Sequence, residues 1–291
     1  MAKWTLADLP DQSARTVVVT GANSGIGLAA ARELAAAGAR VILACRNAEK
    51  GRAAAATLAE TVEVRALDLA NLASVREFAA SIDEPIDVLV NNAGVMAIPH
   101  RRTADGFEMQ MGTNHLGHFA LTGLLLPRIR ERVVTVSSTV HWVGRIDMDD
   151  LNWERRRYHR WPAYFQSKLA NLMFMYELAR RLEEAGSSVG SYAAHPGYAS
   201  TNLQSHTESV MDHLMALGNR VIAQSATMGA MPTLFAATAD VPSGSFAGPG
   251  GITGQHGFPR LVRSSARSRD RKAAESLWAL SEKLTDVKFT F

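Results

Sequence analysis

The sequence predicts an α/β protein in which helices cover both faces of a doubly wound parallel sheet of about seven strands. Short apolar segments alternate with longer helix-forming segments along the chain, as parallel strands joined by helical crossovers require. The apolar segments are rich in Val, Ile, Leu and Ala and lack polar alternation, which is typical of strands buried on both faces. These segments predict strands at 15–20, 40–44, 62–66, 86–90, 132–137 and 189–195.

Helix-forming segments follow the strands and continue towards the C-terminus. They predict helices at 25–37, 47–60, 72–82, 105–127, 162–186, 206–222, 225–239 and 269–284. A Gly/Pro-rich segment at 242–257 precedes the last of them. No Ser/Pro/Gly linker divides the first two thirds of the 291 residues, so we expect a single domain over 1–291.

A glycine-rich turn lies between the first predicted strand and the first predicted helix. Thr20 ends the strand, and glycines follow at positions 21, 25 and 27. Gly21 permits the tight turn, Gly25 lets the backbone approach a phosphate, and Gly27 lets the helix pack closely on the strand. A helix N-terminus attracts anions, so this order of strand, turn and helix predicts a dinucleotide pyrophosphate site.

Polar and small residues also follow the other predicted strands. In an open α/β sheet, ligands bind at the carboxyl ends of the strands, where the strand order reverses. We therefore expect a site at one edge of the sheet. The residues at those strand ends are Thr20, Cys45, Arg46, Asp68, Asn91, Ser138, His195, Pro196 and Gly197.

A second pattern lies further along the chain. Tyr164 and Lys168 are four residues apart, and Ser137 and Ser138 end the apolar strand upstream of them. Together with the glycine turn, this pattern resembles the short-chain dehydrogenase/reductase family, and residues 113–119, T-N-H-L-G-H-F, are similar to its retinol-dehydrogenase-like branch. Further matches in the same order are Asp68-Leu69, Asn91-Asn92-Ala93-Gly94, Pro196-Gly197 and Thr201.

The resemblance is tight over 14–202 and implies a Rossmann-type fold, with 1–200 as cofactor-binding and catalytic core and 201–291 as substrate lid and C-terminal segment. It implies four catalytic residues, Asn114, Ser138, Tyr164 and Lys168. The spacing of four places Tyr164 and Lys168 on one helix face, where the ammonium group would lower the phenol pKa from about 10. Ser138 would bind the substrate oxygen, Lys168 would also hold the nicotinamide ribose, and Asn114 would fix a water that links Lys168 to solvent.

The resemblance also implies the residues that bind the dinucleotide. Asp68 and Leu69 would contact its adenine, although an Asp after a strand is also a common helix cap and Asn71 follows. The full set is Gly21, Asn23, Ser24, Gly25, Ile26, Gly27, Arg46, Asp68, Leu69, Asn92, Ala93, Gly94, Tyr164, Lys168, Pro196, Gly197 and Thr201.

The end of the second strand favours NADP(H) over NAD(H). A site specific for NAD places Asp or Glu there to accept hydrogen bonds from the ribose, and that carboxylate would repel a 2′-phosphate. Here Cys45 takes that position and Arg46 follows. A guanidinium binds phosphate in bidentate fashion, so we expect NADP(H), with NAD as the alternative if Arg46 only faces solvent.

Composition and charge limit the partners. The chain has 47% hydrophobic and 20% charged residues, with a net charge of +3. Basic clusters lie at 155–160 and 260–272, but neither accompanies a nucleic-acid-binding module or an apolar membrane face. We interpret both as solvated surface and expect no nucleic-acid binding and no membrane insertion.

The single cysteine and the N-terminal residues bear on the cellular compartment. Cys45 is the only cysteine, so no intrachain disulfide can form, and its place in a buried strand indicates a core thiol. The first residues show no apolar signal segment, which predicts a cytoplasmic protein. This expectation departs from vertebrate retinol dehydrogenases, many of which carry a membrane anchor, and a homo-oligomer is compatible with it.

Apolar residues at the positions of the family's substrate pocket imply an apolar carbonyl or alcohol substrate, although each also fits an ordinary core. Trp153 and Trp161 flank a polar insertion at the expected pocket mouth. The pocket positions are Met96, Val140, Trp142, Tyr198, Met211, Leu214 and Met215.

Several alternatives remain beside a carbonyl reductase or alcohol dehydrogenase. The four histidines of interest lack a known ligand spacing, so packed or capping rings are expected and no metal is predicted. A nucleotide-binding regulatory protein without catalysis would have lost the Tyr or the Lys, and both are present. Reduction of a carbon–carbon double bond would use the same residues. The histidines are His115, His118, His141 and His195.

Overall fold

The computed structural model describes residues 3–197, 225–251 and 253–291. Within them, the strands are β1 Thr16–Thr20, β2 Arg40–Cys45, β3 Val62–Ala66, β4 Ile86–Asn91, β5 Ile129–Val136, β6 Gly190–Ala194, β7 Phe246–Pro249 and β8 Pro259–Leu261. They form one sheet of eight strands in the order β3-β2-β1-β4-β5-β6-β7-β8.

The sheet confirms the predicted doubly wound parallel architecture. All neighbouring strands are parallel except β7 and β8, which are antiparallel. The strand order reverses between β1 and β4, so the carboxyl ends of these two strands flank a crevice. The short strand β7 lies within the Gly/Pro-rich segment and β8 lies directly after it, in a part of the chain where the sequence pattern indicated no strand.

The helices are α1 Gly25–Ala36, α2 Ala48–Ala55, α3 Leu72–Ala80, α4 Met109–Met111, α5 Gly117–Leu125, α6 Arg160–Glu184, α7 Ala226–Thr238 and α8 Arg271–Thr285. A π-helical turn at Gly112–Leu116 joins α4 to α5. The predicted helix over 206–222 lies outside the described residues. Among the residues that the structure describes, every helix is too short or too polar to span a bilayer.

Successive residues of the central strands face opposite sides of the sheet, as strand geometry requires. Val17 and Val19 pack in one apolar cluster with residues of α1 and α7. Val18 packs in the other, with residues of α3, α5, α6 and α8. Both faces are thus buried, which explains why these strands read as continuous apolar runs.

Four aromatic rings join α5, α6 and α8 to the C-terminal residues. The ring centroids of Phe119 and Phe174 lie 5.6 Å apart, and Trp278 lies 5.0 Å from Phe119. Phe289 lies 4.5 Å from Trp278 and 4.9 Å from Phe119. Such edge-to-face and tilted contacts add to the apolar area that these rings bury.

Two predicted helix boundaries are wrong for local reasons. The helix expected over 105–127 begins at Met109, because the buried Glu108 carboxylate accepts hydrogen bonds from the amides of Gln110 and Met111 at 2.9 and 2.7 Å. The helix expected over 47–60 ends at Ala55, and the Thr57 hydroxyl then donates to the Ala54 carbonyl oxygen. Both boundaries are thus marked by hydrogen bonds of side chains close to the helix ends.

Candidate active site

The turn between β1 and α1 exposes backbone rather than side chains to the crevice. Gly21 and Gly25 have φ values of +65° and +58°, in the left-handed region that favours glycine. A Cβ at Gly27 would collide with Asn92 Nδ2 and lie 2.8 Å from the Gly21 carbonyl oxygen. The side chain of the N-cap residue Ser24 makes no hydrogen bond to the amides of the first helical turn. These amides can therefore bind an anionic ligand.

The Thr20 hydroxyl connects the ends of β1 and β4. Its oxygen accepts hydrogen bonds from the amides of Asn92 and Ala93, both at 2.9 Å. The Asn92 side chain also donates from Nδ2 to the Thr20 carbonyl oxygen at 2.7 Å. A Cβ at Gly21 would lie 2.9 Å from Ala93 Cα. The glycine turn and the segment from Asn92 to Gly94 therefore form one joined surface.

Three of the four predicted catalytic side chains meet at the start of α6. Tyr164 and Lys168 are 6% and 3% exposed, and Lys168 Nζ lies 5.8 Å from the Tyr164 ring centroid. Nζ donates to the Val136 carbonyl oxygen at 3.1 Å, at the end of β5. The Ser138 side chain acts on the Tyr164 hydroxyl and lowers its pKa.

Burial controls the protonation of this pair. It raises the pKa of Tyr164 to about 12, and the Ser138 side chain acts in the opposite direction. Burial lowers the pKa of Lys168 to about 8. The expected lowering of the phenol pKa by Lys168 is therefore not found: burial is the largest cause and raises the pKa, and Lys168 Nζ lies 5.8 Å from the ring centroid.

Asn114 lies in the π-helical turn and completes the predicted catalytic group. Its Oδ1 accepts from the Val95 amide at 2.8 Å, and its Nδ2 donates to the Val95 carbonyl oxygen and to Ser167 Oγ, both at 2.9 Å. A Cβ at Gly94 would lie 3.0 Å from Asn114 Oδ1 and 3.6 Å from Lys168 Nζ. Asn114 and Lys168 thus flank the same glycine. The water that Asn114 would fix stays a prediction.

Hydrogen bonds from outside the site hold the end of β5. The buried His141 accepts at Nε2 from the Ser265 amide at 3.2 Å and donates from Nδ1 to the Ser138 carbonyl oxygen at 2.7 Å. Ser137 Oγ donates to the Lys168 carbonyl oxygen at 2.7 Å. Ser137 therefore ties the end of β5 to α6 through its side chain, whereas the sequence had indicated only that it ends the strand.

The residues expected at the far end of the dinucleotide lie at the ends of β2 and β3. Arg46 is exposed and follows the buried Cys45. Burial raises the pKa of the Cys45 thiol to about 11, as a core thiol requires. Asp68 is half-buried and its Oδ1 accepts from the Ala70 amide at 3.0 Å, while Asn71 caps α3. Asp68 therefore closes the turn before α3 rather than capping it.

The remaining predicted dinucleotide residues complete this edge. Asn23 and Ile26 belong to the glycine turn, and Ile26 packs against the apolar cluster that includes α1. Leu69 is buried, and its backbone leaves no space for a Cβ at Gly117 of α5. Pro196 and Gly197 follow β6. Thr201 lies outside the described residues.

On the substrate side, five predicted positions can be placed, and Trp153 among them is buried. Met96 and Val140 are half-buried, and Trp142 and Trp161 are 52% and 37% exposed. The Trp161 ring lies 6.4 Å from the Tyr164 ring, centroid to centroid. Of the five positions, only Trp153 is a buried residue. Outside the described residues lie Tyr198, Met211, Leu214 and Met215.

The predicted packed or capping histidines are found as such. Burial lowers the pKa of His115 to about 3 and those of His118 and His195 to about 4, and it lowers that of His141 as well. These four rings are uncharged at neutral pH. The part of the chain that the structure describes holds no cluster of three or more His, Cys, Asp or Glu side chains suited to a metal.

One residue of the basic cluster at 155–160 differs from the expected solvated surface. Arg156 Nη2 donates to Gln166 Oε1 at 2.8 Å, and its guanidinium carbon lies 3.7 Å from the Trp153 ring centroid. Its guanidinium also pairs with Asp150 at 3.4 Å. Arg156 therefore fastens the polar insertion to α6, because a planar guanidinium can stack on an aromatic ring and pair at its edge.

Comparison with known proteins identifies the family. A protein-family model described as short chain dehydrogenase matches residues 15–212. The chain belongs to this family. Retinol dehydrogenase 13 from Homo sapiens is 42% identical to the enzyme over 94% of this chain and 85% of its own length. Retinol dehydrogenase 12 from Homo sapiens is 43% identical over 94% of this chain and 87% of its own length.

The enzyme is thus a retinol-dehydrogenase-like oxidoreductase that acts on CH–OH or C=O groups with a nicotinamide dinucleotide. A solved structure of an uncharacterised protein from Mycobacterium paratuberculosis matches all of both chains, with a TM-score of 0.88 and 54% identity. A short-chain dehydrogenase/reductase from Burkholderia phymatum, solved with NAD, shares the fold with a TM-score of 0.63 and 22% identity over 77% of this chain and 85% of its own.

The crevice fits such a dinucleotide. The left-handed Gly21 and Gly25 and the space that a Cβ at Gly27 would fill leave bare backbone at the N-terminus of α1. Thr20 holds the segment that follows β4, from Asn92 onwards, against this turn. These features suit a pyrophosphate and the nucleosides on either side of it.

Sequence reasoning missed three residues that organise the site. Thr20 appeared only as a strand end, and His118 and His141 appeared only as packed rings. A local signal existed for both histidines, since His118 lies four residues after Asn114 and His141 three residues after Ser138. At those spacings a side chain can reach the backbone of the earlier residue on a helix or turn.

Proposed function

We propose that the enzyme uses NADP(H) to interconvert apolar carbonyl compounds and alcohols, with Tyr164 as the general acid and base. The observation that carries this proposal is the buried Tyr164 with Lys168 Nζ 5.8 Å from its ring centroid and Ser138 acting on its hydroxyl. When bound, the nicotinamide would supply or take up the hydride. The residues of the chain then have to bind the substrate oxygen and move its proton.

The proton chemistry follows from the pKa directions. With a pKa raised to about 12, the Tyr164 phenol is protonated at neutral pH and can donate to a substrate carbonyl oxygen. Ser138 donates to the same oxygen and stabilises the charge that develops there. The Lys168 ammonium then stabilises the phenolate that Tyr164 becomes. In the reverse direction the phenolate accepts the alcohol proton.

Binding of the dinucleotide is assigned to the turn and strand ends described above. Gly21, Gly25 and Gly27 would allow the pyrophosphate to approach backbone amides, and Lys168 would hold the nicotinamide ribose. Arg46, exposed after Cys45, would pair with a 2′-phosphate. No carboxylate occupies the position of Cys45 that would repel this phosphate.

The surroundings of Tyr164 support an apolar substrate. Trp161 is 37% exposed, and its ring centroid lies 6.4 Å from that of Tyr164. Exposed aromatic and apolar groups beside a catalytic tyrosine favour a substrate that buries apolar surface. The names of the two human relatives point the same way, since retinol is an apolar alcohol.

A substrate screen tests the proposal. The purified chain is mixed with NADPH or NADH and a panel of apolar and polar aldehydes and ketones, including all-trans-retinal, and the absorbance of the reduced cofactor is followed. The matching alcohols are tested with the oxidised cofactors. We expect turnover of apolar members with NADP(H). Exclusive turnover of charged or sugar-like substrates, or no turnover with any pair, would contradict the proposal.

A further inference from the structure

Two buried histidines lie three residues apart beside the π-helical turn and have different partners. His115 Nε2 lies 3.0 Å from Ser281 Oγ on α8, away from the catalytic group. His118 Nε2 lies 2.9 Å from Thr20 Oγ1, and His118 Nδ1 lies 3.1 Å from the Asn114 carbonyl oxygen. His118 alone of the two touches both the dinucleotide crevice and a predicted catalytic residue.

The protons of the His118 contacts can be assigned from the partners. A carbonyl oxygen only accepts, so His118 Nδ1 carries the proton and donates to Asn114. Nε2 of this neutral ring is then an acceptor, and the Thr20 hydroxyl donates to it. The same Thr20 oxygen accepts from the amides of Asn92 and Ala93. The hydroxyl thus has two amide donors and His118 Nε2 as its nearest acceptor, while the Val90 carbonyl oxygen lies farther away, at 3.4 Å.

The chain of bonds spans the two parts of the site. On one side, Thr20 holds the end of β1 to the segment after β4, where the dinucleotide is assigned. On the other, Asn114 lies against Gly94 and Ser167, next to Lys168. Thr20, Asn114 and His118 are each at most 1% exposed, so water does not compete for these bonds.

We infer that His118 is a positioning residue that sets the Asn114 carbonyl and the Thr20 junction relative to each other. Both of its ring nitrogens are bonded to protein groups, so it acts through Thr20 and Asn114. Nδ1 orients the backbone of Asn114, and Nε2 orients the Thr20 hydroxyl that holds the dinucleotide segment. The inference rests on the catalytic role proposed above for Asn114 and its neighbours. Burial lowers the pKa of His118 to about 4, which keeps the ring neutral, as both bonds require.

Two substitutions separate the two halves of this role. In His118→Asn, the amide nitrogen can take the place of Nδ1 and keep the bond to Asn114, but the side chain is too short to reach Thr20. In His118→Gln, the amide oxygen can take the place of Nε2 and accept from Thr20, while the bond to Asn114 is lost. Each variant thus retains the contact that the other one loses.

The experiment measures dinucleotide affinity and turnover separately. Binding of NADPH is titrated by fluorescence without substrate, and kcat is measured with the carbonyl compound that the wild type reduces fastest. We expect His118→Asn to weaken NADPH binding about threefold to tenfold with kcat little changed, because one neutral hydrogen bond is lost. We expect His118→Gln to bind NADPH normally and to lose about tenfold in kcat, because Asn114 is misplaced.

The matched control is His115→Gln, which keeps a donor for Ser281 and should change neither quantity. Thermal unfolding of all three variants shows whether they fold. Parallel losses in affinity and kcat for both His118 variants, or no loss in either, would overturn the inference. Tyr164→Phe in the same assay separates the two proposals, because unchanged turnover in that variant contradicts the proposed function and not the role of His118.

Discussion

The glycine turn and the catalytic group are built by different means, although they lie at one edge of the same sheet. In the turn, the backbone itself forms the site, through the positive φ values of Gly21 and Gly25 and the close approach at Gly27. In the catalytic group, the members are side chains held by partners elsewhere in the sequence, as Val136 holds Lys168 and the Ser265 amide holds the Ser138 backbone through His141. The comparison teaches that a backbone site is visible in a short motif, whereas a side-chain site requires the fold.

The largest expected effect breaks the catalytic group and leaves the turn intact. Tyr164→Phe removes the proton donor while the ring still packs, so kcat should fall on the order of a hundredfold to ten-thousandfold. NADPH affinity, measured by fluorescence titration, should stay near that of the wild type. Comparable turnover numbers for variant and wild type would remove Tyr164 from the role of general acid.

Lys168 belongs to both parts, so its loss should affect both. In Lys168→Met, kcat should fall because the phenolate loses its neighbouring charge, and NADPH affinity should fall roughly tenfold to hundredfold because a charged hydrogen-bond partner is lost. The two quantities are measured as for Tyr164. Normal NADPH affinity together with an unchanged pH–rate profile would be inconsistent with this double role.

Arg46 tests the dinucleotide side alone. Arg46→Ala should weaken NADPH binding roughly tenfold to hundredfold and leave NADH binding and kcat at saturating cofactor almost unchanged. The matched control is Arg52→Ala, at an exposed arginine on the helix α2 that follows Arg46, and it should alter neither affinity. If Arg46→Ala weakens both cofactors equally, or if the wild type prefers NADH, Arg46 does not bind the 2′-phosphate.

The smallest effect concerns stability and the neutral histidines. Folding holds the pKa of His115 at about 3, below its ordinary 6.5. The unfolded chain therefore binds more protons below pH 6.5, and the free energy of unfolding falls as the pH drops from 6.5 towards 4. His115→Gln should reduce this slope by up to about 1.4 kcal/mol per pH unit, measured by denaturant unfolding. An identical slope in the variant would show that His115 does not titrate on unfolding.

Much of the fold was predictable because it depends on local patterns. The apolar runs around Val18, Ile42 and Leu89 located the central strands, since a strand buried on both faces has no polar positions. Strands β7 and β8 were not predicted, because four and three residues in a Gly/Pro-rich region carry too little pattern. The start of α4 depended on the buried carboxylate of Glu108, which no helix periodicity reveals.

The site shows the same division. The spacing of Tyr164 and Lys168 correctly placed both on one face of α6, but the phenol pKa did not follow the neighbouring charge, because burial of the whole ring outweighs it. His118 was invisible as a connector, since its partner Thr20 lies 98 positions away in the sequence. The spacing of residues along the sequence indicates which helix face a side chain occupies. Its hydrogen-bond partners from other strands and helices become known only from the fold.

The aromatic cluster around Phe119 has a consequence for synthesis. The ribosome releases Phe119 and Phe174 well before Trp278 and Phe289, the rings on which they pack. Until those late residues emerge, α5 and α6 have bare apolar flanks, and such flanks are the surfaces on which nascent chains aggregate or recruit chaperones. Because α6 carries Tyr164 and Lys168, we expect the packing of that helix to be completed only after Trp278 and Phe289 have been translated.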